Sequence, residues 1–203
     1  MNLCRHFGTC GGCALQDLTP DDYRARKREE ILQALSRNGF DDAVVNDVIS
    51  VPPRTRRRAI FKVEKKDNAV AIGFHAAKSH TIVDMHECLV ITPALFSAVA
   101  GFREMFASIL RDNEKAELHV TETDAGLDVA IDWKRLPTPK LISEIVPLAV
   151  KLKLARVTSG DEILAEFATP QIRFGKARGD LPRETFLQPT REGEEILRKF
   201  VLE

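Results

Sequence analysis

Apolar and polar positions alternate along this chain in a pattern that predicts short strands interleaved with four helices. From Arg56 to Glu64 the alternation reads as a strand. Arg57, Ala59, Phe61 and Val63 share one face; Arg56, Arg58, Ile60, Lys62 and Glu64 share the other. Lys66-Asp67-Asn68 is a turn, Val70 to Phe74 returns as a second strand, and Thr81-Ile82-Val83 is a short third strand leading to Cys88. Thr92-Pro93 starts a helix whose apolar residues (Leu95, Phe96, Val99, Phe102, Phe106, Ile109, Leu110) recur every three or four positions, so one face belongs to the core. Glu117 to Thr123 and Leu127 to Trp133 flank Asp124-Ala125-Gly126 as a hairpin.

A further helix is expected from about Pro139 to about Leu152, on a stripe of Leu141, Ile142, Ile145 and Val146 interrupted by Pro147. Short strands are expected at 155–158, 163–167 and 172–174, a charged loop at 176–182 and an extended segment at 184–188. Thr190 opens a last amphipathic helix with Ile196, Leu197, Phe200 and Val201. Near the start, Thr19 caps a helix entered through Pro20, Asp21 and Asp22 and ended at Asn38 and Gly39. Its apolar residues are sparse (Tyr23, Ile31, Leu32, Leu35), which reads as a solvated surface helix. Hairpins and scattered helices predict an α+β fold, mainly an antiparallel sheet with flanking helices.

At 203 residues the chain is long enough for one or two domains with a sizeable core. No apolar run is long enough to span a bilayer, and Cys4, Arg5 and His6 interrupt the N-terminus where a secretory signal would need an apolar stretch. The expectation is a cytoplasmic, monomeric protein without membrane contact. In that reducing setting four cysteines are metal ligands rather than disulfides. Formal net charge is zero, yet Arg54 to Lys66 carries seven basic residues against Glu64 alone. Arg56, Arg58 and Lys62 stand at two- and four-residue steps on one strand face, a spacing that suits successive phosphates, and Lys65, Lys66 and Lys78 extend the stripe. The competing reading is a charged edge strand that discourages aggregation. Arg57 falls on the apolar face, so it must reach an acid or extend out to water.

Cys4, Cys10 and Cys13 are spaced C-x5-C-G-G-C, and Cys88 lies far downstream. Four thiolates suit zinc or an iron–sulfur cluster, and this three-plus-one arrangement suits a cubane better than paired zinc knuckles. His6, His75, His80 and His86 lie near the same stretches and fit a supporting shell rather than ligands. No G-x-G occurs among the eleven glycines, so no nucleotide-type loop is present.

Four patches occur in a fixed order: C-x5-C-G-G-C-x-x-Q ending at Gln16, Pro53 to Ala59, Gly73-Phe74 leading through Ser79 to Asp84 and on to Cys88, and Phe186-Leu187-Gln188. Together they resemble the RNA 5-methyluridine methyltransferases that carry a 4Fe–4S cluster. The resemblance covers the whole chain but only the front half of that family. It implies a 4Fe–4S cluster on Cys4, Cys10, Cys13 and Cys88, S-adenosylmethionine as methyl donor with Gln188 touching it, and Phe186 near the target base. The substrate it implies is RNA, ribosomal before transfer RNA, contacted by Arg56, Arg58, Lys62, Lys65 and Lys78. Residues 1–18 would join 48–184 as a cluster-bearing, RNA-binding domain. Residues 19–47 would be a helix and connector packed on a methyltransferase domain, and 185–203 the start of that domain. Its Rossmann-like body would be essentially absent, leaving this chain alone inactive. Thr55 departs from the family, which commonly has Tyr before the three arginines. The alternative is a non-catalytic RNA-binding module stapled by zinc or iron–sulfur. An electron carrier would need neither the arginine run nor the long remainder of the chain.

Overall fold

The computed structural model describes residues 3–183 and 185–202; Met1, Asn2, Glu184 and Glu203 lie outside the described residues, and with them the first residues of the predicted cysteine segment and one end of the 184–188 segment. The alternation on β1 (Arg58–Lys66) becomes burial: Ala59, Phe61 and Val63 are in the core, while Arg58, Lys62 and Glu64 are half-buried and Ile60 is exposed. Asp67 and Asn68 take positive φ in the tight turn to β2 (Ala69–His75), which pairs antiparallel with β1, and β3 (Ile82–Asp84) pairs with β2 at the edge. On the other side of β1 lie β4 (Lys115–Thr123) and β5 (Gly126–Asp132), joined as a hairpin.

Helix α1 (Pro20–Arg37), α2 (Pro93–Ile109) and α3 (Pro139–Lys151) all begin in the same way. Thr19, Thr92 and Thr138 each accept a bond from the backbone N–H three residues on, with Pro at the first helical position. Pro147 does not break α3. The carbonyl it leaves unbonded belongs to Ser143, on the exposed side of the helix, where water can serve it.

Helix α3 crosses over the sheet and returns the chain as β6 (Leu154–Ser159), parallel to β5, and β7 (Glu162–Glu166) closes the far edge. The sheet order is β3-β2-β1-β4-β5-β6-β7. The fold is therefore mixed α/β with a seven-stranded sheet, not the mainly antiparallel α+β arrangement expected from the hairpins. The physical reason is the β5-α3-β6 unit, because a helix between two strands carries the chain back to the starting edge and lets them run parallel.

Helices α2 and α3 cover one face. Phe102, Met105, Phe106 and Ile145 pack there with Phe61, Ile72, Leu118 and Val129. Residues 177–180, expected as loop, form β9 (Ala177–Asp180), which pairs with β8 (Gln171–Phe174) as a separate hairpin. Neither α1 nor α4 (Arg191–Leu202) buries a residue. Among the described residues no helix is long and apolar enough to cross a membrane.

Arg57 and Arg58, at the entry to β1, bind the C-terminal segment to the sheet. Arg57 is 1% exposed and ion-paired with Glu194 of α4, and its Nε donates to the Gln188 carbonyl at 3.1 Å. The Arg57 backbone N–H donates to the Pro189 carbonyl at 2.8 Å, and Arg58 donates to the Leu187 carbonyl at 2.7 Å. The apolar face thus carries an arginine because an acid from far along the chain meets it. Arg57→Gln would strand Glu194 in a largely buried site and should cost about 3–5 kcal/mol, the range for breaking a buried pair. Chemical denaturation would measure it. Arg57→Met combined with Glu194→Leu should lose clearly less, since no unpaired charge remains.

Candidate functional site: the cysteine cavity and the open face of the sheet

The N-terminal loop is sewn to the sheet by backbone bonds. Gly11 N–H donates to the His75 carbonyl at 2.8 Å and Ala77 N–H to the Thr9 carbonyl at 3.2 Å. On its other side Arg5 N–H donates to the Glu87 carboxylate at 2.6 Å, and His86 N–H to His6 Nε2 at 3.1 Å. These ties draw Cys4, Cys10 and Cys13 to the segment that holds Cys88. All four, each half-buried and unbridged, line one cavity of about 260 Å³ together with Gln16, Arg56, Ile60, Phe74, Val83 and Met85.

Gly73 sets how near that segment can come, since a Cβ there would lie 2.0 Å from the Val83 carbonyl oxygen. Gln16 spans two of the cysteines. Its Oε1 accepts from Cys4 N–H at 3.1 Å and its Nε2 donates to Cys13 Sγ at 3.2 Å. Gly12 N–H points at Cys10 Sγ at 3.4 Å. Burial pushes the Cys4 and Cys13 thiols up, and the neighbouring thiols add to the rise.

This donor set fits a thiolate-bound metal centre. Four sulfurs at ~2.3 Å from one zinc would sit within roughly 4 Å of one another and close the space between them. A cavity of about 260 Å³ lined by all four cysteines, with amide donors aimed at two sulfurs, has room for either a zinc ion or an iron–sulfur cluster.

The structure brings Arg56, read from sequence as part of a separate basic stripe, into the wall of the cysteine cavity, with its Nε on the Arg58 carbonyl at 3.1 Å. Arg58 lies with its guanidinium 5.5 Å from the centre of the Phe186 ring, and that ring is 73% exposed. Leu187, next in the chain, is buried with Ile172 and Leu181, and the carbonyl of Gln188 is held by Arg57. Lys62 pairs with Glu117, and with Lys78, His75 and Gly11 it lines a shallow groove beside the cysteine loop. Burial, then Lys62 and His80, push His75 down. Lys65 stands apart from this surface, since its ammonium bonds the Ala107 and Leu110 carbonyls at 2.6 and 3.0 Å and so caps the end of α2.

Sequence reasoning did not single out Gln16 as a bridge between two cysteines. The signal was its place three residues after Cys13. It also missed the group of Glu117, His119 and Asp132, whose potential ligand atoms lie within 4.8 Å of one another; Lys62 already engages Glu117 there.

No protein-family model matches the chain. Its relatives are named RNA methyltransferases. One from Brucella suis, named an uncharacterized RNA methyltransferase, is 36% identical over 98% of this chain and 48% of its own length. One from Agrobacterium fabrum, similarly named, is 33% identical over 98% of the chain and 50% of its own length. The chain spans about half the length of these curated relatives.

Two likenesses are narrower. The 23S rRNA (uracil(1939)-C(5))-methyltransferase of Halomonas elongata is 33% identical over 63% of this chain and 27% of its own length. In three dimensions the chain resembles Pyrococcus abyssi tRNA (uracil-54, C5)-methyltransferase, solved with S-adenosyl-L-homocysteine. The TM-score is 0.64 at 17% identity, covering 95% of this chain and 50% of that one. That match corrects the expectation that a methyltransferase fold is essentially absent here, because nearly all of the chain superposes on one. The expectation that the chain alone is inactive gains no support from it.

A thiol pushed up holds its proton in the folded state, so its contribution to stability is complete below the ordinary value of 9.0 and is lost as pH rises past it. The metal-free chain should therefore melt at lower temperature as pH climbs from about 8 to about 10. The double variant Cys4→Ser/Cys13→Ser should show a flatter profile; equal slopes would contradict the burial argument.

Proposed function

We propose that this chain belongs to an RNA (uracil-C5) methyltransferase that uses S-adenosylmethionine, acts on ribosomal rather than transfer RNA, and holds a 4Fe–4S cluster on Cys4, Cys10, Cys13 and Cys88. The observation that carries the reading is the convergence of four cysteines, from two distant stretches, on one cavity in a chain whose relatives are named RNA methyltransferases. The preference for ribosomal RNA rests on the closer sequence likeness to an enzyme named for 23S rRNA.

With all four thiolates engaged, the cluster supplies a closed structural centre rather than an open iron. Gln16 orients two of its ligands from outside. The residues around it serve RNA. A uracil must leave its stack to be methylated, and the exposed Phe186 ring with Arg58 over it offers a surface on which a base can stack. Arg56 in the wall of the cysteine cavity, and Lys62 and Lys78 along the groove beside the cysteine loop, suit phosphates. Gln188 is fixed through its backbone by Arg57, which sets where its side chain begins, and we assign it to the methyl donor. Lys65 is left out of this surface because its ammonium is committed to α2.

Protein purified without oxygen should be brown and hold roughly four iron and four sulfide per chain, as a four-thiolate cubane requires. Cys88→Ala should lose both. Stoichiometric zinc without sulfide would overturn the cluster.

The gene product carrying this chain, given S-adenosylmethionine and unmodified ribosomal RNA, should form 5-methyluridine detectable by nucleoside mass spectrometry. Formation on transfer RNA alone would reverse the choice of substrate. RNA binding with no methyl transfer to either would favour the non-catalytic module.

A further inference from the structure

The β8–β9 hairpin presents a feature that neither the cysteine cavity nor the basic strand uses. Arg173 and Arg178 are direct cross-strand partners on it. Partners in register point to the same face, and like charges placed directly opposite repel. Lys176 adds a third cation in the two-residue turn, where Gly175 takes φ +59°, the positive value that the first position of such a turn needs. All three cations are exposed, and among the described residues none makes an ion pair. The acid of the hairpin, Asp180, is occupied by Gln171 at 2.8 Å.

The opposite face of the hairpin is anchored. Ile172 is buried in a small apolar cluster with Leu181 and Leu187. Leu187 is the neighbour of Phe186, so the hairpin is packed beside the segment that carries the exposed ring. Gln171 also bonds back to the sheet through its carbonyl, which accepts from Asp124 N–H at 2.8 Å. The hairpin is thus an arm fixed through Ile172, with a cationic side facing water.

These features differ from those of the β1 arginines. Arg57 and Arg58 spend their donors on Glu194 and on backbone carbonyls of this same chain, whereas Arg173 and Arg178 keep theirs for an outside partner. A polyanion laid across the pair would remove their repulsion and accept bonds from both guanidinium groups. We infer that the outer face of the β8–β9 hairpin, Arg173, Lys176 and Arg178, is a second phosphate-binding surface that grips the RNA backbone next to the base-stacking position at Phe186. The inference rests on the RNA reading above and extends it, since it assigns a phosphate grip to a hairpin of which sequence read 172–174 as a strand and only the part from Lys176 on as a charged loop. Contacts to phosphate carry no base identity, so the arm positions RNA without choosing the uridine.

The test is the salt dependence of binding to a fluorescein-labelled uridine-containing stem–loop RNA, for the protein as purified and for Arg173→Gln/Arg178→Gln. Loss of two phosphate contacts should reduce the slope of log affinity against log salt by about 1.4, and should weaken binding on the order of tenfold near 0.1 M salt. The thermal midpoint of the variant should be unchanged or raised, because a repulsive pair has been removed. The loss should be equal for stem–loops of unrelated sequence. Unchanged slope and affinity in the variant, with the unaltered protein binding normally, would overturn the hairpin surface alone. Failure of the unaltered protein to bind any stem–loop would overturn the RNA reading itself.

Discussion

The ion pair between Arg57 and Glu194 is the constraint on which the candidate site depends. A buried guanidinium at the entry to β1 is tolerable only with a carboxylate delivered to it, and that carboxylate comes from α4. Once the pair forms, the carbonyls of Leu187, Gln188 and Pro189 fall onto the donors of Arg57 and Arg58. Phe186 is then displayed at the surface, and Leu187 is turned inward to hold the hairpin. Helix α4 buries none of its own residues, so its attachment to the sheet runs through this polar clasp rather than through apolar packing.

The cysteine loop is placed by a different kind of bond. It has little core of its own and lies on the sheet through main-chain hydrogen bonds at the end of β2 and through contacts to the 86–88 segment. Main-chain bonds fix the backbone without demanding particular side chains, which leaves the cysteines, Gln16 and Arg56 free to be specified by what the cavity holds. The sheet supplies rigidity, and the loop supplies chemistry.

How much of this could be read in the sequence follows from which forces are local. The strand alternation and the Thr-Pro helix starts are local; the helices began where expected, and the strand expected at 56–64 formed two residues later, at Arg58–Lys66. The cysteine quartet was legible because its spacing is unusual and its residue type is chemically narrow. The parallel pairing of β5 and β6 leaves no mark in the residues of either strand; its sign was the helix expected between them, which the count of hairpins outweighed. The segment at 177–180 has no apolar alternation, so it read as loop; its strand exists because the turn at Gly175 returns it alongside Gln171 to Phe174. The basic run was legible as charge but not as commitment. The acceptors that occupy Arg57, Arg58 and Lys65 come from residues far along the chain or from a helix end, and only the folded arrangement reveals them.

The cysteine cavity brings Cys13 and Cys88 together across a loop of roughly seventy-five residues, and a bound group that bridged them would act mainly on the unfolded chain, by removing conformations it would otherwise explore. Such a tie behaves like a clasp on a belt. While closed, it makes the N-terminal segment and the first three strands one cooperative unit. When opened, it frees the segment but leaves the sheet, whose core of Phe61, Ile72 and Phe102 includes no cysteine ligand from the loop. Loading of the four sulfurs would thereby set how firmly the start of this protein is held to its fold, beyond what the main-chain bonds at the end of β2 already hold, and how readily proteases reach it.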